Sequence, residues 1–427
     1  MRYFIVVCFL YYLKLTNGYR GAVVEYSPTT ADSPENTILK NLNEYSTFIQ
    51  RAKTQGADII VFPEYGLTTM VADPEGYAVA LTPDAPIVTK LSTLAKQATI
   101  YLVVNLLEKV DTRTPKYYNT NLVFDRNGNV IKKYRKINLF GEPNLAPGSS
   151  NQSTIFSTDF GVTFGIFTCF DILYTNPSRT VLTNNITDVV YPTSWFSTMP
   201  FYASLSVQHG YSTSTKVNLL AANLGEPQNT HGGSGIYLVD GTSNIHITDV
   251  ASSKLLIQDV PGKTVPQVVR DTNMSNYETL RDFRAADYNF KKIDLSQTNQ
   301  STNICYNEFC CTFDLTVGES NCDDVYKIMA FDGVVPFDVS TAHIRVCSLL
   351  LCANATNDSC GARIKPGTIF TKMSVRTNVE KNSSFYNPLT LDLYLRPLLH
   401  STFDTTQLST LQESSDVVVF GIFGRLD

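Results

Sequence analysis

Apolar runs and amphipathic stretches alternate over about the first 290 residues, and the pattern then changes. After an apolar leader, YRGAVVEYSP opens as a short strand. Ser33 is suited to cap a helix whose first position is Pro34, since both residue types are favoured there. Ile38, Leu42, Tyr45, Ile49 and Ala52 recur at steps of three and four, giving one apolar helical face that Gly56 ends. Asp58 to Phe62 follows as an apolar strand. The theme repeats with a helix over 86–97 and the strand ATIYLVVNLL. Residues 119–135 read as a hairpin around the turn dipeptide Asn127-Gly128. GVTFGIFTC, DVVYP and VNLLAAN continue as strands, with helices near 177–183 and 203–215 between them. This alternation predicts a layered α/β domain with a mixed sheet over residues 19–290. Residues 291–427 are richer in Thr and Ser and carry short runs such as YKIMAF, HIRVCSLLLC and VVVFGIF, which predict a mainly β second domain.

Composition narrows the picture. A length of 427 residues suits two or three domains rather than one, and 43% hydrophobic with 17% charged residues is globular rather than disordered. A net charge of −5 argues against nucleic-acid binding, which needs a basic surplus. Residues 1–18 read as an export signal: Arg2, an apolar run from Tyr3 to Leu13, then Thr16-Asn17-Gly18. That run is half the ~20 residues a membrane span needs. Glycosylation sequons begin at Asn151, Asn185, Asn273, Asn299, Asn354, Asn357 and Asn382. Of the 9 cysteines, Cys8 lies in the leader, Cys169 stands alone, and the rest crowd between Cys305 and Cys360. In an oxidising compartment such crowding reads as a disulfide framework. The segment DVVVFGIFGRLD ends on a charged pair without a hydrophobic tail, so soluble secretion is expected and no membrane anchor.

Three residues stand where chemistry could be done. Cys169 closes the strand Val162 to Thr168, and α/β enzymes build sites at the carboxyl ends of strands. A thiol attacks only as thiolate and needs a base or cation nearby; a buried cysteine acting as a small hydrophobe is the competing reading. Glu64 follows Pro63 at the end of the strand IIVF, where partial burial would suit it to carry a proton, although a loop or capping carboxylate is equally placed. Lys136 ends the second arm of the hairpin, where a solvated basic face is the competing reading. Alternation puts it on one face with Lys132 and Tyr134, and puts Lys133 and Arg135 on the other. His209, His231, His246, His343 and His400 show no metal-type pairing, and no HExxH, CxxC pair or GxSxG elbow is present. The run from Gly232 to Gly235 reads as a turn, and Asp171 as a local cap.

Glu64, Lys136 and Cys169 occur in the order and contexts of the nitrilase superfamily, and the chain resembles most its vanin/biotinidase branch. The resemblance rests on GAVVEYSP, IIVFPEYGL, YNTNLVFDRNGNVIKKYRKINLF, GIFTCFDI, YPTSWF, VNLLAAN, GSGIY and CYNEFCC, and it spans residues 20–425. Tyr65 departs from the branch, which often has an acidic residue there. The resemblance implies a four-layer α-β-β-α sandwich followed by a smaller, mainly β, disulfide-stapled domain. It implies Glu64 as general base and acid, Lys136 as stabiliser of the oxyanion, and Cys169 as nucleophile. Glu142 and the backbone N–H of Phe170 would assist. Tyr191 and Trp195, which follow a strand at the same end of the sheet, are candidate pocket residues. Six cysteines, Cys305, Cys310, Cys311, Cys347, Cys352 and Cys360, would form the disulfides, which leaves Cys322 extra.

The activity so implied is hydrolysis of a small vitamin-linked amide through a cysteine thioester, with pantetheine first and biotin amides second. No cofactor and no metal is implied, and a monomer is expected. A secreted glycoprotein that kept the fold but lost catalysis, serving as an adhesion module, is the contrasting class.

Overall fold

The computed structural model describes residues 18–110, 113–260, 274, 276–337, 340–379 and 385–426. Asn273, Asn382 and the export signal, apart from Gly18, lie outside the described residues.

Strand β1 (Tyr19–Glu25) leads into helix α1 (Pro34–Thr54), where the Ser33 hydroxyl accepts the Asn36 N–H at 3.2 Å as an N-cap. The face carrying Ile38, Leu42, Tyr45, Ile49 and Ala52 is buried, with Phe48 added to it. Then come β2 (Ile59–Val61), α2 (Pro86–Ala98), β3 (Tyr101–Val110) and the hairpin β4 (Lys116–Phe124) with β5 (Val130–Arg135). Strand β2 runs parallel to both β1 and β3, while β4 and β5 run antiparallel. A further strand, β13 (Lys254–Val260), closes the other edge and completes a six-stranded sheet of order β13-β1-β2-β3-β4-β5.

The second sheet is built from β6 (Ile155–Ser157), β7 (Thr163–Ile166), β8 (Asp188–Pro192), β10 (Asn218–Ala222), β11 (Ser234–Tyr237) and β12 (Ser243–His246), in the order β12-β11-β10-β8-β7-β6. Between β8 and β10 lie the two-residue strand β9 (Thr198–Met199) and helix α3 (Ser204–Thr215). Tyr19 and Gly21 of the first sheet meet Phe164 and Leu220 of the second, and Val23, Val61 and Val103 share that core with Ile166 and Val190. The opposite face of the first sheet, with Ala22, Ile60 and Leu102, packs on α1 and α2, and α3 covers the second sheet. The result is the four-layer α-β-β-α sandwich, with Glu64, Cys169 and Ser194 all just beyond the carboxyl ends of their strands.

Two expectations need correction. The strand through Cys169 ends at Ile166, because residues 169–173 turn into a short 3₁₀ helix closed by the Thr168 N–H on Asp171 at 3.1 Å. The helix expected near 177–183 is a pair of short distorted turns, Thr175–Arg179 and Thr180–Asn184. Pro177 supplies no N–H there, and Asn176 before it has non-helical angles.

The rest of the chain holds strands β14 (Leu280–Arg281), β15 (Asn289–Lys292), β16 (Asn299–Tyr306), β17 (Phe309–Glu319), β18 (Val325–Phe337), β19 (Ser340–Cys352), β20 (Ile369–Thr377), β21 (Phe385–Asp392), β22 (Ser401–Asp404), β23 (Gln407–Thr410) and β24 (Val417–Leu426), most of them in the mainly β second domain. β14 reaches back to pair with β9, and the others form two five-stranded sheets. Disulfides Cys305–Cys310, Cys311–Cys347 and Cys352–Cys360 staple the domain, and among the described residues Cys322 is a free, exposed thiol. No helix among the described residues is long and apolar enough to cross a membrane.

Candidate active site

Three strand ends and one hairpin arm converge on a buried polar cluster. Glu64 lies three residues beyond β2, and its carboxylate is fully engaged. Oε1 accepts from Lys136 Nζ at 2.9 Å and from Asn119 Nδ2 at 2.6 Å; Oε2 accepts the Ser194 N–H at 2.8 Å. Lys136 follows β5, and its N–H donates to the Asn119 carbonyl at 2.8 Å, which extends the ladder by one rung and aims the side chain inward. Its ammonium also reaches Glu142 Oε2 at 2.8 Å. Glu142 is held in turn by the Phe140 N–H at 2.9 Å, by Asn119 Nδ2 at 2.9 Å and by the Tyr65 hydroxyl. The alternation expected of the hairpin arm is present: Tyr134 and Lys136 are buried, whereas Lys133 and Arg135 turn outward to Glu108.

Cys169 sits at the sharp exit from β7 with φ of 46°, a left-handed conformation that costs an L-residue about 1–3 kcal/mol. Its surroundings fix that turn. The Tyr191 hydroxyl donates to the Cys169 carbonyl at 2.8 Å, and Asp171 accepts from Tyr134 at 2.6 Å and from the Asn138 N–H at 2.8 Å. The thiol points at the Ser194 carbonyl, 3.8 Å away.

The charges divide unequally over this cluster. Burial would lower the Lys136 ammonium, but Glu142 and Glu64 outweigh it and keep the group protonated. Burial raises Glu64 above the usual carboxylate range despite Lys136, and Glu142 adds to the rise. Burial acts on Glu142 as well, yet Lys136 and the hydrogen bonds from Tyr65 and Phe140 hold it below that range. Of the two carboxylates, Glu142 is the one held ionised beside Lys136, and Glu64 is the one held toward its neutral form. Burial, and then the Glu64 charge, push the Cys169 thiol up, with Lys136 pulling the other way. At rest Cys169 is held as the neutral thiol.

A cavity of about 340 Å³ opens onto Cys169, within the range of small-molecule pockets. Its walls include Phe140, Phe170, Trp195, Phe196 and Tyr202, with Ser194 beside the thiol and the charged Arg281 and Asp282 also on the lining. Trp195 lines the cavity, whereas Tyr191 supports the Cys169 backbone. Sequence reasoning passed over Asn119, which bridges Glu64 and Glu142, and over its neighbours. Asn105 donates to Asn119 at 2.6 Å and to Asn121 at 2.9 Å, and Asn121 donates to Thr168 at 2.8 Å. The signal was present: three amides in strands that are otherwise apolar and buried must find partners.

The sheet-on-sheet fold and the buried Glu–Lys–Cys cluster define a hydrolase of carbon–nitrogen bonds, and residues 22–237 match the family described as Carbon-nitrogen hydrolase. Residues 277–427 match the Vanin C-terminal domain. The chain belongs to the carbon-nitrogen hydrolase family, among its members that carry the vanin domain. It is 32% identical to Vanin-like protein 2 of Drosophila melanogaster, over 95% of this chain and 89% of that protein. Vanin-like protein 1 of the same organism is 31% identical, with 97% and 86% covered. Pantetheinase of Mus musculus is 28% identical, over 91% and 83%.

Proposed function

We propose that this enzyme is a secreted amidase that hydrolyses pantetheine, a small vitamin-linked linear amide, to pantothenate and cysteamine. The observation that carries the reading is the Cys169 thiol at the floor of an aromatic cavity, within the electrostatic reach of Glu64 and Lys136. Its similarity to a pantetheinase over most of its length supports the choice of amide.

Glu64 accepts the thiol proton as Cys169 Sγ bonds to the amide carbon. The Lys136 ammonium and the Phe170 backbone N–H stabilise the oxyanion. Collapse breaks the carbon–nitrogen bond, and Glu64 returns the proton to the departing amine, leaving a thioester on Cys169. Water then gives its proton to Glu64 and attacks the thioester; the acid leaves and the thiol is restored. Glu142 keeps Lys136 charged throughout.

Export is supported by the leader in the sequence, by the three disulfides and by the exposure of Asn151, Asn185, Asn299, Asn354 and Asn357, the five described sequons. The test is a side-by-side assay of pantetheine and biocytin with the purified secreted protein. Turnover of pantetheine with a clear excess in kcat/KM is expected; turnover of biocytin alone would move the substrate to biotin amides, and turnover of neither would overturn the reading.

A further inference from the structure

His231 stands directly behind the cavity wall. Ser194 and Phe196 both line the cavity, and both touch this histidine: Ser194 Oγ lies 3.1 Å from His231 Nε2, and the Phe196 ring packs on the imidazole at 4.2 Å between centroids. The imidazole is buried, and its Nδ1 makes no hydrogen bond among the described residues; it faces Glu226 Oε2, 3.9 Å away. Burial pushes His231 down to about 4, so the ring is neutral at physiological pH. A carboxylate on the Nδ1 side favours the proton on Nδ1, which leaves Nε2 as an acceptor. The Ser194 hydroxyl must then donate to Nε2, and its lone pairs are left for something else.

The position of Ser194 says what that is. Its N–H donates to Glu64 Oε2, and its carbonyl receives the Cys169 thiol. Ser194 also lines the cavity, so an amide nitrogen held between Cys169 and Glu64 lies alongside this residue. We propose that Ser194, oriented by His231 and Glu226, accepts a hydrogen bond from the N–H of the scissile amide and makes the site select secondary over tertiary amides. This rests on the amidase reading above. Ser194 is the specificity-determining residue; His231 acts through it and is a positioning residue.

The test uses the secondary amide pantetheine and its N-methylated tertiary analogue, assayed on the native enzyme and on Ser194→Ala, His231→Leu and His231→Gln. Loss of one neutral hydrogen bond predicts a rise in KM for the secondary amide of about fivefold to tenfold in Ser194→Ala and His231→Leu, with the tertiary analogue little affected. His231→Gln retains an acceptor toward Ser194 and should restore most of the secondary-to-tertiary ratio in kcat/KM. Should His231→Leu fail to fold, Ser194→Ala, which removes a single oxygen, decides. A ratio unchanged from native in a folded Ser194→Ala overturns the inference while leaving the amidase reading intact. If the native enzyme cleaves neither amide, the amidase reading fails and this inference falls with it.

Discussion

The Lys136 ammonium lies 2.9 Å from Glu64 Oε1, and both side chains are buried. A lone pair of this kind would settle into an ion pair and hold Glu64 ionised and inert. Burial works against this, and Glu142, 2.8 Å from the same ammonium, adds its charge to the rise in Glu64.

Replacing Glu142 with Gln should therefore weaken the base rather than the nucleophile. With that charge gone, Lys136 pairs with Glu64 alone and the Glu64 carboxyl titrates lower. The acidic limb of the kcat/KM profile should move to lower pH, and the plateau should fall by about tenfold to a hundredfold, as for a poorly matched general base. A limb that stays in place, measured on pantetheine, would contradict the division of roles.

Removing Lys136 should also cost stability. A Lys136→Met variant leaves Glu64 and Glu142 together in a buried site without their cation. Breaking a buried pair in this way typically costs about 3–5 kcal/mol. Urea unfolding should show a lowered midpoint, and the loss should shrink as the pH is lowered and the carboxyls take up protons. A variant of native stability at pH 7 would mean that the cluster is wetter than its burial indicates.

Glu25 gives a stability signature of its own. It is buried at the end of β1, accepts the Gly233 N–H at 2.9 Å, and is pushed by burial up to about 8 from an ordinary 4.5. Between those values the folded protein holds a proton that the unfolded chain has released. The contribution is therefore full below pH 4.5 and is lost as pH rises through 8. Native protein should lose a few kcal/mol across this window relative to Glu25→Gln, measured by chemical unfolding at pH 5 and pH 8.5. Equal pH dependence in the two proteins would contradict the assignment.

Much of this arrangement was legible before any coordinates. Helix α1 announced itself through Ser33, Pro34 and an apolar face; the β4–β5 hairpin did so through Asn127-Gly128 and strict alternation, which grouped Lys136 with Tyr134 on one face. These are local signals, carried by residues close in sequence. The turn at Cys169 was not legible, because the apolar run continues through Phe167 while ladder pairing stops at Ile166. What ends the strand is Asp171, satisfied by Tyr134 from another sheet. Ser194 and His231 were missed for the same reason: their meeting, like that of Asn119 with Glu64, joins residues 37 and 55 positions apart. Periodicity reports which face is buried but not which polar groups meet there.

The two free thiols among the described residues should separate by reactivity. Cys322 is exposed, whereas Cys169 is buried with its thiol pushed up. Iodoacetamide should label Cys322 rapidly in the native protein and Cys169 slowly, and substrate should protect only the second. A Cys322→Ser variant should retain native turnover. Equal labelling rates at the two positions, read by peptide mass spectrometry, would contradict the burial of the nucleophile.

The central claim, that amide cleavage passes through a thioester on Cys169, is tested most directly by acid-quenching the enzyme during pantetheine turnover and measuring its intact mass. The account predicts a pantothenoyl adduct that maps to the Cys169 peptide, is removed by hydroxylamine, and is absent from a folded, inactive Cys169→Ala variant. Native-rate turnover by that variant, or an adduct on any other residue, would contradict it.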